Sequence, residues 1–129
     1  MSRYVAARVR ESQGPEPGGG VAQRADLLQG TLDLLILKVL LFGPLHGWAI
    51  STRLRELSND AFAVGQGSLY PALYRLEHQG WISSEWGTST EGKRARFYTL
   101  LPAGRRQLAA ERARWRTFAT AVELVLKAP

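Results

Sequence analysis

The chain contains no cysteine, which excludes disulfide bonds and cysteine-ligated zinc or iron–sulfur centres. Only two histidines are present, His46 and His78, too few donors for a metal site. Long apolar runs are missing as well. The richest stretch, Leu32 to Phe42, holds nine apolar residues in eleven and is broken by Asp33 and Lys38. A bilayer span needs about 20 residues, so this segment reads as a buried helix and no membrane association is expected. The N-terminal arginines lead into no continuous apolar core, so a signal peptide is not expected either. No nucleophile–base–acid set stands out. Gly65-x-Gly67 is too short to cradle a phosphate and sits in a turn. The chain therefore does not read as an enzyme, and no metal or cofactor is expected. Absence of cysteine is compatible with a reducing cytoplasm, the expected location.

Lysine is the other shortage: three stand against fourteen arginines, at a net charge of +6. A basic protein attracts polyanions, but the position of the charge matters more. Residues 1–25 sum to +2, 26–80 to −1, 81–101 to +1 and 102–129 to +4. Any grip on phosphate must then come from the second half of the chain or from a second subunit. With 129 residues there is room for one domain and a modest core.

Residues 1–25 include Gly14-Pro15-Glu16-Pro17-Gly18-Gly19-Gly20 and little hydrophobic periodicity. They read either as a disordered arm or as a start-site artefact, with the natural start near Val21. From Leu27 the pattern is helical up to Phe42, where Gly43-Pro44 stops it. Its leucines surround most of the helix, so it is central to a core or shared with a partner. A second helix is predicted from Gly47 to Leu57, with Ile50, Leu54 and Leu57 on one stripe. Val64-Gly65-Gln66-Gly67 then turns into a third helix, with Ser68 expected as its N-cap and Pro71 in its first turn. Leu69, Leu73 and Leu76 should face the core and leave Tyr70, Tyr74, Arg75 and His78 outside, with Gly80 closing the helix. Strands are predicted over 81–86 and 94–100, joined at Gly87–Gly92. Arg94, Arg96, Tyr98 and Leu100 fall on one face of the second strand. A last helix runs from about Pro102 to Lys127. Leu108, Trp115 and Val122 recur there every seven residues, with Phe118 and Val125 beside them, a seam that asks for a partner.

This order defines a mainly α, α+β fold: a winged helix-turn-helix with a two-stranded wing and a long C-terminal dimerisation helix. The expected division is a DNA-binding unit at 26–101 and a dimerisation helix at 102–129. At this level the sequence resembles the PadR family of bacterial transcriptional regulators. The residues that carry the likeness are Leu32–Leu37, Gly43-Pro44-Leu45-His46-Gly47 and Gly67-Ser68-Leu69-Tyr70-Pro71-Ala72-Leu73-Tyr74-Arg75-Leu76-Glu77. Gly80-Trp81-Ile82, the strand from Arg94 to Tyr98 and Gly104 complete it. The likeness covers roughly residues 26–127. Two features depart from the usual pattern. Leu101 stands where a hydroxyl N-cap is common, which predicts fraying worth about 1 kcal/mol. The C-terminal region is one helix, as in the short PadR subclass.

The resemblance implies a homodimeric repressor that occupies a pseudo-palindromic operator in double-stranded DNA. Gln66, Ser68, Tyr70, Tyr74 and Arg75 are the candidate contacts from the third helix, and the resemblance places Tyr70 near DNA. Packing of the tyrosines on the wing or second helix is the competing reading. Arg75 could instead pair with Glu77 or Glu56. Lys93, Arg94 and Arg96 are the candidate wing cations, with Arg105 and Arg106 as further phosphate contacts. Trp115, Phe118 and Val122, with Trp48 from the second helix, are candidates for the dimer interface. Some related regulators hold flat hydrophobic effectors between such aromatics, and interface packing with no ligand is the competing reading. The rival from another class is a winged-helix protein–protein interaction module that never touches DNA.

Overall fold

The computed structural model describes residues 29–129. The expected N-terminal arm and the start of the first helix lie outside these residues. Helix α1 spans Gln29–Val39 and tightens into a 3-10 turn at Leu40–Phe42, which Gly43 ends. Leu32, Ile36, Leu37, Val39 and Leu40 are buried, and Leu34, Leu35 and Leu41 pack half-buried around them. This helix is the centre of the core, one of the two arrangements its all-round leucines allow.

A two-residue strand, β1 (Leu45–His46), leads directly into α2 (Gly47–Leu57). His46 caps α2: its Nδ1 accepts a hydrogen bond from the Ala49 N–H at 3.2 Å, satisfying one of the orphan donors of the first turn. The His46 ring also meets the Phe97 ring edge-on at 5.3 Å between centroids. Ile50 and Leu54 are buried as the stripe predicts, whereas Leu57 is 55% exposed.

Helix α3 spans Gln66–His78. Its N-cap is Gly65 and not Ser68, because the Gly65 carbonyl already accepts the N–H groups of Ser68 and Leu69. Ser68 is thus the third residue of the helix, and Pro71 lies in the second turn. Pro71 deprives only the exposed Gly67 carbonyl of a donor, where water can replace it. Leu69, Ala72, Leu73 and Leu76 bury the inner face. The helix ends in a Schellman arrangement. Gly80 takes φ 78°, its N–H donates to Glu77 O, and the Trp81 N–H reaches back to Leu76 O at 3.1 Å.

Strands β2 (Ile82–Thr88) and β3 (Arg94–Leu100) form the wing. The wing read from sequence had two strands; the sheet has three, in the order β1-β3-β2, all antiparallel. The extra strand pairs Leu45 with Tyr98 and His46 with Phe97, fastening the wing to the start of α2.

The last helix, α4, runs unbroken from Pro102 to Lys127. Its N-cap Leu101 offers no side-chain acceptor, as the sequence indicated, while the Leu101 N–H bonds to Trp81 O at 3.0 Å. Gly104 lies on the Trp81 carbonyl and the Leu100 side chain, so closely that a Cβ would collide with both. Only Gly104 and Leu108 of α4 are buried. Leu108 therefore belongs to the domain core and not to the outer seam. From Arg112 to Lys127 every residue except Ala119 is exposed. No described helix is long and apolar enough to cross a membrane.

Candidate nucleic-acid interface

Helix α3 buries four residues on one side, so the opposite side of its 3.6-residue period faces solvent. Gln66, Tyr70, Tyr74 and His78, spaced by four, form that exposed stripe, with Gly67, Ser68 and Pro71 alongside. Tyr74 is 71% exposed and stacks with His78 at 6.1 Å between centroids and 12° between planes. Tyr70 is 43% exposed and is not free: its phenol lies across Gly47 at the first residue of α2. It therefore both packs on the second helix and keeps an open edge. His78 was absent from the sequence-derived candidates, although its four-residue spacing from Tyr74 carried the signal.

Arg75 departs from the expectation. Its Nη2 donates to Asp33 Oδ1 of α1 at 3.0 Å, so neither Glu77 nor Glu56 is its partner. The side chains are 35% and 18% exposed, a pair half removed from water. Burial pushes the Asp33 carboxyl above the ordinary carboxylate range; the Arg75 guanidinium pulls it back and the Glu111 carboxylate adds to the rise. The Arg75 Nε is buried without a partner among the described residues.

Glu77 serves the wing. Ser84 Oγ donates to Glu77 Oε2 at 2.7 Å, and Arg96 Nε donates to Ser84 Oγ at 2.8 Å. Arg96 Nη2 lies 3.9 Å from the same carboxylate oxygen. Arg96 thereby joins the wing to the C-terminal end of α3. Arg94 stands further out, its guanidinium 4.6 Å from the centre of the Trp86 ring. Lys93 is exposed at the turn, where its own N–H bonds to Ser89 Oγ. The stripe on α3 and the cations of β3 thus lie on elements joined by one polar chain, Glu77–Ser84–Arg96.

A family model described as the transcriptional regulator PadR-like family matches residues 36–110. The chain belongs to the PadR-like family. Among solved structures it is similar to a transcriptional regulator from Clostridium thermocellum, with a TM-score of 0.72 and 27% identity over 79% of this chain and 99% of the other. A PadR-like transcriptional regulator from Bacillus cereus gives a TM-score of 0.68 and 26% identity, over 79% of this chain and 97% of that one. A transcriptional regulator of Mycobacterium tuberculosis is 41% identical over 58 residues, 45% of this chain and 53% of that protein, so the match spans about half of it.

The exposed half of α4 in this PadR-like chain carries Trp115, Phe118, Val122, Leu124, Val125 and Leu126, each between 39% and 74% exposed. Trp115 and Phe118 touch each other, ring centroids 5.9 Å apart. Trp48, 66% exposed, forms no aromatic pair with either among the described residues. It lines an open depression with Thr52, Arg55 and Val64, between α2 and the loop entering α3. Arg105 and Arg106 are exposed on the first turns of α4.

Proposed function

We propose that this PadR-like regulator binds operator DNA as a homodimer and represses transcription by occupying a pseudo-palindromic site. The observation that carries this reading is the α3 stripe of Gln66, Tyr70 and Tyr74, open to solvent and flanked by the cationic wing. Two such helices in one dimer would enter successive major grooves about 34 Å apart. Gln66, Ser68, Tyr70 and Tyr74 then read or fit the groove, and Lys93 and Arg94 hold phosphate, which sets affinity and salt dependence without reading sequence. We assign Arg75 to holding α3 on α1 in place of DNA contact, because Asp33 already engages it.

Residues 26–101 form the reading unit in this scheme and 102–129 the dimer helix, although the first two turns of α4 are part of the reading unit's core. The second half of α4 exposes more apolar surface than a lone helix keeps in water, which supports a second copy as its cover. In this reading Trp115, Phe118 and Val122 form the dimer interface and a flat hydrophobic effector would sit against them, with Trp48 of α2 as a further candidate.

Gel mobility shift with DNA from upstream of the gene, at low and at moderate salt, tests the reading. A shift that is stronger for that fragment than for random DNA and weakens with salt is expected. No shift at low salt overturns it in favour of a protein-interaction module, and equal binding to both DNAs overturns the sequence-specific reading. The near-neutral charge of residues 26–80 is the feature that favours this second reading.

A further inference from the structure

The wing carries an aromatic residue that no part of the core requires. Cross-strand pairing places Ile82 opposite Leu100, Ser84 opposite Tyr98, Trp86 opposite Arg96 and Thr88 opposite Arg94, all on one face of the β2–β3 ribbon. At the base of the ribbon this face is core: Ile82, Leu100 and Tyr98 are buried. At its middle it meets α3 through Ser84, Arg96 and Glu77. Beyond α3 the same face emerges into solvent as Trp86 with Arg94 and Arg96. Trp86 is 56% exposed there.

A tryptophan on a two-stranded ribbon with so much surface in water gains little for the fold. Its surroundings are also unusual. Both guanidinium groups lie near its ring, Arg94 at 4.6 Å and Arg96 at 5.6 Å from the centroid. The two cations differ in what else they do. Arg96 is engaged by Ser84 and Glu77, which fixes the ribbon against α3. For Arg94 no carboxylate lies within ion-pair distance among the described residues, so its N–H groups are open to a ligand. A guanidinium resting on an indole loses little further freedom when it meets a phosphate, and its donors remain in its plane, at the rim of the ring.

We propose that Trp86 is a DNA-positioning residue of the wing, a platform that holds Arg94 in place to take a backbone phosphate beside the groove that α3 enters. This rests on the DNA-binding reading above. The ribbon face leaves no other side chain to do the same for Arg94, since Thr88 and Ser84 are too short. Trp86 is set apart from Lys93, whose charge sits on a flexible stem at the turn.

Fluorescence anisotropy on the full chain tests this with two labelled duplexes, the fragment upstream of the gene and a shuffled duplex of equal composition. The variants are Trp86→Ala, Trp86→Phe, Arg94→Ala and the double variant Trp86→Ala with Arg94→Ala, with folding checked by thermal melting. Trp86→Ala should weaken both duplexes alike, about three- to five-fold. Trp86→Phe should recover part of that loss. The double variant should lose less than the product of the two single losses. Trp86→Ala binding within experimental error of the wild type, or fully multiplicative losses, overturns the proposal while leaving the DNA-binding reading intact. Wild-type protein that shifts neither duplex at low salt overturns both.

Discussion

The phenol of Tyr70 fills the space that a side chain on Gly47 would occupy. The first residue of α2 thereby sets the direction of the tyrosine nearest the start of α3. Gly47→Ala brings a Cβ into the Tyr70 hydroxyl and ring, the far end of a side chain that can swing away. Alanine is also the better helix former. The expected outcome is a protein of unchanged or slightly higher thermal stability that binds its DNA at least about five-fold more weakly, the equivalent of about 1 kcal/mol. Anisotropy titration alongside a thermal melt checks this. A large drop in melting temperature would show that Gly47 serves packing and leaves Tyr70 where it was.

Asp33 and Arg75 hold α3 to α1 across 42 residues of sequence. Asp33→Ala leaves a half-buried guanidinium with no acceptor, and urea denaturation should show a loss of about 1–3 kcal/mol. Asp33→Asn keeps an acceptor for Arg75 and should cost clearly less. The pH dependence separates charge from hydrogen bonding. Burial holds the Asp33 carboxyl above its unfolded value, so folding takes up a proton in the window between the unfolded value and the raised one. The contribution of Asp33 is then greatest below its unfolded pKa and declines as pH rises through the folded one. The stability of the wild type relative to Asp33→Asn should increase on acidification from pH 6 to pH 4. A decrease over that window would mean that the ion pair outweighs burial.

Gly104 offers a test whose sign is unusual. Within an exposed helix, glycine to alanine stabilises by about 1 kcal/mol. Here the new methyl would meet the Trp81 carbonyl, a backbone atom pinned by the Leu101 N–H, and the Leu100 side chain. Gly104→Ala should therefore destabilise, by about 1–3 kcal/mol as overpacked sites do, through a lower urea midpoint with unchanged slope. A stabilised variant would show that α4 can slide on the domain without loss.

Legibility followed the range of the interaction. The end of the first helical run and the start of α4 could be read because Gly43-Pro44 and Pro102 are a local stop and a local start. The buried faces of α2 and α3 followed from helical spacing, except that Leu57 is left outside because α2 ends there. The capping of α3 was misread: serine is the commoner cap, but Gly65 in extended backbone already receives the first amides. The capping role of His46 was not foreseen, since histidine is not among the usual capping residues. Strand β1 is two residues long and exists only by pairing with β3, some fifty positions away, which no periodicity announces. The same holds for Arg75 with Asp33 and for Tyr70 with Gly47. The seven-residue seam on α4 was visible, but spacing alone could not divide it into Leu108, seated in its own domain, and Trp115 onward, exposed.

That division gives the sharpest test of the dimer. Trp115 lies outside the domain core, so truncating it should leave the reading unit folded, whereas truncation of Leu108 would not. Trp115 and Phe118 touch and present the largest aromatic surface on the outer half of α4. Central aromatic residues dominate most interfaces, and losing one typically weakens association by about 2 kcal/mol or more. Trp115→Ala should raise the dimer dissociation constant at least about ten-fold, read by sedimentation equilibrium, with the circular dichroism of the winged domain intact. Thr117→Ala, on the same helix but off the seam, should leave the constant unchanged. Because two half-sites are held only by a dimer, Trp115→Ala should also steepen the dependence of DNA binding on protein concentration. An unchanged dimer constant, or monomeric wild-type protein at micromolar concentration, would remove α4 as the dimer helix and with it the two-groove arrangement.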